Sequence, residues 1–164
     1  MAVALVLSCV AVLLATSVLA VGLAPRGRPI VYGASLVVSL LLFGAALNVL
    51  LGGSAGSSVS LPLGLPWLGA HFRIDALAAF FLVVVNLGGA AASLFALGYG
   101  RHEEAPQRVL PFYPSYLAAM NLVVVADDAF SFLVAWESCR SPPGRWWWRI
   151  TRNRRTSAPA TFIC

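Results

Sequence analysis

Long apolar runs separated by short polar breaks make up most of this chain, and their lengths predict what they form. Residues 2–24 and 30–51 carry no charged side chain. Each run supplies the ~20 mostly apolar residues that a helix needs to cross a hydrocarbon core of about 30 Å, so both are predicted to span. The segment from Pro25 to Pro29, with two arginines and a glycine between the prolines, ends one helix and opens the next. A third run, 75–99, starts at Asp75, where a carboxylate meets the free N–H groups and the positive dipole end of a helix. A fourth, 108–125, has Pro111 and Pro114 in its first two turns, which predicts a kinked start. Asp127-Asp128 then makes a tight break or an N-cap, and a fifth run, 128–137, follows it.

Residues 52–73 do not fit this rhythm. A Gly/Ser-rich stretch leads into Leu61-Pro-Leu-Gly-Leu-Pro-Trp67, which is apolar but too broken by proline and glycine to be helical. Short extended pieces or a hairpin at the membrane surface are expected, with Trp67 at the interface. Gly88, Gly89 and the Ala90–Ser93 stretch give the third helix a face that another helix can approach closely. Asn86 and Asn121 are expected to hydrogen-bond between helices. The fold class is therefore all-α, a polytopic integral membrane protein with four full transmembrane helices plus a truncated fifth. Residues 1–137 form the transmembrane region, and 138–164 form a tail of different character.

Composition agrees with this pattern. The chain is 60% hydrophobic and 10% charged, against about 45–50% apolar and about 25% charged for a soluble domain. That excludes a soluble domain, a nucleic-acid-binding module and a disordered chain. Cys9, Cys139 and Cys164 are an odd number of scattered thiols, not a disulfide framework. No Arg or Lys precedes Pro25, so the first run is read as a retained helix rather than a cleaved signal peptide.

The net charge of +5 separates into two parts. Residues 1–137 hold five arginines and six acids, whereas 138–164 hold six arginines and no acid. Arg26 and Arg28 lie in one short loop, and Arg101 and Arg108 in another. By the positive-inside rule, these loops are expected in the cytoplasm of a bacterial cell (inner) membrane. The N-terminus, the 52–73 loop with His71 and Arg73, and the Asp127-Asp128 turn are then expected outside. His71, His102 and Glu103-Glu104 read as solvated loop residues. No His/Cys/carboxylate cluster has metal-ligand spacing, and no phosphate loop is present.

Glu137 is the candidate functional residue. It lies nine residues after Asp128, roughly 13 Å along a helix rising 1.5 Å per residue. That depth is near the middle of the hydrocarbon core, where a carboxylate must be paired, hydrated or protonated. Such a group can take up and release a proton as its partner moves. The bland alternative is that Glu137 ends a short helix at the water surface.

Several ordered blocks carry a resemblance. They are His71-Phe-Arg-Ile-Asp75 through Phe81, Gly98-Tyr99, Arg101-His102-Glu103, Met120-Asn-Leu-Val-Val-Val-Ala-Asp-Asp-Ala-Phe130 and Ala135-Trp136-Glu137. Together they resemble the proton-translocating antiporter-like membrane subunits. These comprise the large membrane chains of respiratory complex I, subunits of multisubunit sodium/proton antiporters and membrane subunits of energy-conserving hydrogenases. Within that group the resemblance is to the hydrogenase-4 component B, or formate hydrogenlyase subunit 3, type. It covers 1–137, most specifically 71–137. The resemblance implies that Glu137 is the proton-relay glutamate of the fifth helix, working with a lysine on a later helix. It implies membership of an oxidoreductase complex with other membrane and peripheral subunits, this chain holding no cofactor or redox centre itself. This chain contains no lysine, so it does not assemble a complete proton path, and alone it is expected to be inactive as a pump.

The tail has no counterpart in that resemblance. Loss of one base just after the Glu137 codon explains it. Trp146-Trp-Trp148 fixes nine bases of coding sequence. Read one base earlier, those bases give Leu, Val or Met followed by Val-Val. Permitted codons elsewhere yield an apolar run that continues the fifth helix. A frameshift is thus one reading of 138–164. The other is a real basic, Trp-rich tail on a small membrane anchor, binding anionic lipid or an acidic partner and no nucleic acid.

Overall fold

The computed structural model describes residues 2–23, 27–52, 57–61, 69–99 and 110–140. Its elements are α1 (Ala2–Leu23), α2 (Arg28–Leu51), β1 (Ser57–Leu61), β2 (Ala70–Ile74), α3 (Ala76–Tyr99), α4 (Phe112–Val125) and α5 (Ala129–Arg140). Among the described residues the fold is predominantly helical, with one small two-stranded sheet. Among the described residues, three helices, α1, α2 and α3, are long and apolar enough to cross a membrane.

Helix boundaries follow local chemistry. Pro29 sits in the first turn of α2, where its missing N–H has no intrahelical partner to lose. Asp75 caps α3, its Oδ1 accepting the Ala78 N–H at 2.8 Å. Asp128 caps α5 in the same way, accepting the Ser131 N–H at 2.7 Å. The fourth helix differs from expectation. Instead of a full span from about residue 108, α4 has 14 residues, about 21 Å of helix against a core of about 30 Å. Pro111 is its N-cap and Pro114 falls in its first turn, so the prolines set where α4 begins rather than kinking its interior.

The extended pieces expected within 52–73 form an antiparallel hairpin. Ser57 pairs with Ile74 and Leu61 with Ala70. Along β2, burial alternates: Ala70, Phe72 and Ile74 face inward, while His71 and Arg73 face out. The inward side chains join Val3 and Val6 of α1 in the main core cluster. The hairpin therefore lies at the end of the bundle that holds the start of α1, the end of α2 and the start of α3. Tyr32, Ala20 and Leu110 form a second cluster at the opposite end, where Ser17 Oγ donates to the Pro111 carbonyl at 2.6 Å. The helices thus alternate in direction, with the end of α1, the start of α2, the end of α3 and the start of α4 at the end opposite the hairpin.

Each helix buries one stripe. On α1 it is Val3, Val6, Val10 and Leu13; on α3 it is Ala79, Leu82, Asn86, Gly89, Ala90 and Ser93. These follow the i, i+3, i+4 rule of a helix that packs on one face. The opposite faces are also apolar: Val18, Val21, Leu77, Leu94 and Phe95 are more than three-fifths exposed. Contiguous exposed apolar surface of this kind suits contact with lipid.

α3 and α4 are tied by a buried amide pair. Asn86 Nδ2 donates to Asn121 Oδ1 at 2.7 Å and to the Leu82 carbonyl at 2.8 Å, and Asn121 Nδ2 donates to the Leu117 carbonyl at 2.8 Å. Both residues are at most 1% exposed. Asn86→Ala leaves the Asn121 oxygen without its donor and is expected to destabilise by about 1–2 kcal/mol. The Asn86→Leu/Asn121→Leu pair should recover part of that loss. Thermal midpoints of the three variants in detergent check this, and equal losses in the single and double variants would contradict it.

Candidate functional site

α5 brings Glu137 into place from a well-defined start. Its first turn is held by Asp128, and its narrow buried seam consists of Ser131 and Ala135, one turn apart. The rest of the helix is open. Phe132, Leu133, Val134 and Trp136 are each between 42% and 58% exposed, and the Phe132 and Trp136 rings stack at 6.2 Å. Glu137 shares this open face, with its side chain 58% exposed. Its ion-pair partner is Arg140, one turn further on, with Nε 3.7 Å from Oε1. An exposed pair at this spacing contributes only a few tenths of a kcal/mol. The other packed helices of the described chain do not enclose Glu137.

The start of α5 is fixed to the hairpin. Asp128 uses both carboxylate oxygens: Oδ1 accepts the Ser131 N–H, and Oδ2 accepts the His71 N–H at 2.9 Å. Beside it, the Asp127 N–H donates to the His71 carbonyl at 2.9 Å, and Arg73 Nε lies 3.2 Å from Asp127 Oδ1. Phe72 and Ala126 complete the junction with an antiparallel bridge. His71 therefore contributes through its backbone, while its side chain is exposed, as expected of a surface residue.

These contacts set the acid response of the junction. The Ser131 N–H, then that of His71, holds the Asp128 carboxyl down to about 2 from the ordinary value of 3.8. A carboxyl with a depressed value stabilises the fold above its unfolded value and loses that contribution as pH falls through the folded one. The junction is thus expected to weaken as pH drops from about 4 to about 2. Asp128→Ala should cost about 0.5–2 kcal/mol at neutral pH, the range for a lost N-cap, and should flatten this dependence. Thermal midpoints taken across that window check both effects, and an unchanged pH profile in the variant would contradict them.

A second polar group lies between α3 and α4, and nothing local in the sequence points to it. Ser93 Oγ contacts the Gly89 carbonyl at 2.8 Å and the Tyr113 hydroxyl at 2.7 Å, and that hydroxyl also reaches the Gly89 carbonyl at 3.0 Å. Each hydroxyl has one proton to donate, so the three contacts are not all hydrogen bonds at once. Tyr113 also meets Tyr32 edge-on, with ring centroids 5.4 Å apart. Gly89 and Ser93 stand out in the sequence only as small residues, and their partner lies 20–24 positions away.

Among the described residues, no group of three His, Cys, Asp or Glu side chains could hold a metal ion. His102, Glu103, Glu104, Arg26, Arg101, Arg108 and Trp67 lie outside the described residues, as does the tail beyond Arg140.

No family model matches the chain. Two proteins of Mycobacterium tuberculosis are each 34% identical to it over 73 residues: "Uncharacterized protein MT0090" of strain CDC 1551 / Oshkosh and "Uncharacterized protein Rv0083" of strain H37Rv. The match covers 44% of this chain and 11% of each relative. Hydrogenase-4 component B of Escherichia coli K12 is 31% identical over 93 residues, 56% of this chain and 14% of its own. The chain thus spans only a small part of the length of the curated relatives it matches.

Proposed function

We propose that this chain is the N-terminal part of a proton-translocating, antiporter-like membrane subunit of the hydrogenase-4 component B type, with Glu137 as its proton-relay carboxylate. The observation that carries this reading is the setting of Glu137. It is an acid on the open side of a short helix, beside Leu133, Val134 and Trp136 and paired with the exposed Arg140, about nine residues below a capped start. In a bilayer a carboxylate at that depth costs several kcal/mol unless it is paired, hydrated or protonated, and a group held in that balance can take up and release a proton as its partner changes. The similarity to hydrogenase-4 component B over 56% of the chain supports the same subunit type. Such a subunit would work beside other membrane and peripheral subunits that carry the redox chemistry, in a bacterial cell membrane with the hairpin end outside.

On this reading 138–164 is the product of a one-base deletion, and the 164-residue chain alone does not pump. The nucleotide sequence past the stop codon should encode further apolar helices in a shifted frame. A complex rebuilt with the frame-restored subunit should translocate protons, and the same complex with the short chain should not. Translocation by the short chain, or none by the restored one, would overturn the proposal.

The acid-free run of six arginines in 138–164 favours a second reading, a membrane anchor whose tail binds anionic lipid. Its mark is binding to phosphatidylserine vesicles that depends on the tail arginines and weakens with salt.

A further inference from the structure

We propose that Asp128 is a positioning residue for Glu137, joining the hairpin and α5 so that they move as one unit. This rests on the reading of Glu137 as the working carboxylate and adds a means by which the surface of the protein reaches it. The observation is the division of labour between the two oxygens of one carboxylate. Oδ1 caps the helix that carries Glu137, and Oδ2 holds the His71 N–H of β2. The neighbouring links, Asp127 N–H to the His71 carbonyl and Arg73 to Asp127, join the same two strands of chain. Three contacts therefore converge between the edge of the hairpin and the turn that starts α5, the Asp127–His71 bond forming part of the Phe72–Ala126 bridge.

Further along, the buried residues of α5 are Ser131 and Ala135, and among the described elements its main neighbour is α4. A helix attached by one narrow seam is free to tilt or turn about it unless its end is fixed. The junction at Asp128 supplies that fixed end. Any displacement of the hairpin, as by a protein that docks on its exposed face, is passed to α5 through the carboxylate and changes where Glu137 sits.

The two oxygens can be separated by mutation. In Asp128→Asn, the amide oxygen still caps α5, because Asn is as good an N-cap as Asp. The amide nitrogen in place of Oδ2 does not accept a hydrogen bond, so the tie to β2 is cut and the cap is kept. His71→Pro cuts the same tie from the other side by deleting the donor. Asp128→Ala removes cap and tie together.

The test uses the full chain in lipid nanodiscs. Mass spectrometry reads amide hydrogen exchange at residues 70–74 and 129–132, and the rate at which a lipid-soluble carbodiimide modifies Glu137. Asp128→Asn should speed exchange of the His71 amide by about tenfold or more while leaving the Ser131 amide protected. Both Asp128→Asn and His71→Pro should change the Glu137 modification rate severalfold and in the same direction. Asp128→Ala should speed exchange at both amides. Unchanged His71 exchange in Asp128→Asn, or a wild-type Glu137 rate in both tie-cutting variants, would overturn the proposal. Failure of the relay reading is separate, because it is scored by proton flux in Glu137→Gln, a substitution that leaves His71 exchange as it is.

Discussion

Glu137→Gln in a frame-restored, full-length subunit is expected to lower proton translocation by about a hundredfold or more, the usual scale for removing a positioned proton-transfer group. Assembly and membrane insertion should be unaffected. Glutamine keeps the shape and one acceptor oxygen of glutamate but does not take up a proton in the working pH range. On the open face of α5 it also removes the charge that needs a partner, so the helix becomes easier to hold in lipid. The two effects separate a relay from a structural anchor. A structural ion pair would lose stability and keep flux, whereas a relay loses flux and keeps or gains stability. Proton uptake by inverted vesicles, with thermal midpoints on the same samples, reads both. Undiminished flux in Glu137→Gln would contradict the role assigned to this residue.

Neighbouring glycines on α3 are expected to respond to substitution in opposite directions. A Cβ at Gly89 would lie 3.0 Å from Leu117 Cδ2 and 3.1 Å from Ser39 Oγ, so α2 and α4 both close on this position. Gly89→Leu puts three more carbons where α2, α3 and α4 already touch, and overpacking of this kind costs about 1–3 kcal/mol or more. The Gly89 carbonyl also accepts from Ser93 and Tyr113, so a shift of the backbone would break those contacts as well. At Gly88, one residue away, an added Cβ meets nothing within 4 Å. Gly88→Ala should therefore stabilise α3 by up to about 1 kcal/mol through helix propensity alone. Thermal unfolding of the two variants in one detergent compares them directly. Equal shifts, or a stable Gly89→Leu, would contradict the close three-helix contact.

What the sequence made legible was mostly local or periodic. The runs that became α1, α2 and α3 are readable because a spanning helix is long and apolar throughout. Asp75 and Asp128 are readable as caps because the cap bond closes within three residues. The contact between Asn86 and Asn121 was expectable from the cost of leaving an amide unpaired among apolar helices, and the structure joins them to each other. The length of α4 was not legible, because an apolar run with prolines at its head fits either a kinked span or a shorter helix. The Tyr113–Ser93 contact and the Arg73–Asp127 pair were hidden for a different reason. Their partners are distant in sequence and meet only after the helices have packed. Glu137 stands between these cases. Its position on α5 follows from counting residues, and among the described residues its ion-pair partner is Arg140, one turn further on.

If Glu137 is the relay carboxylate proposed above, α5 carries it to the middle of the bilayer. The most direct test is the depth of position 137, measured in the frame-restored subunit with a nitroxide label at Glu137→Cys, the native cysteines being replaced, and with lipid-borne and water-borne relaxation agents. Strong relaxation by oxygen, which concentrates in the hydrocarbon, and little by a water-soluble nickel chelate are expected, at a depth of roughly 13 Å from the hairpin surface. A label freely reached by the nickel chelate, with the shallow profile of a loop, would contradict that placement.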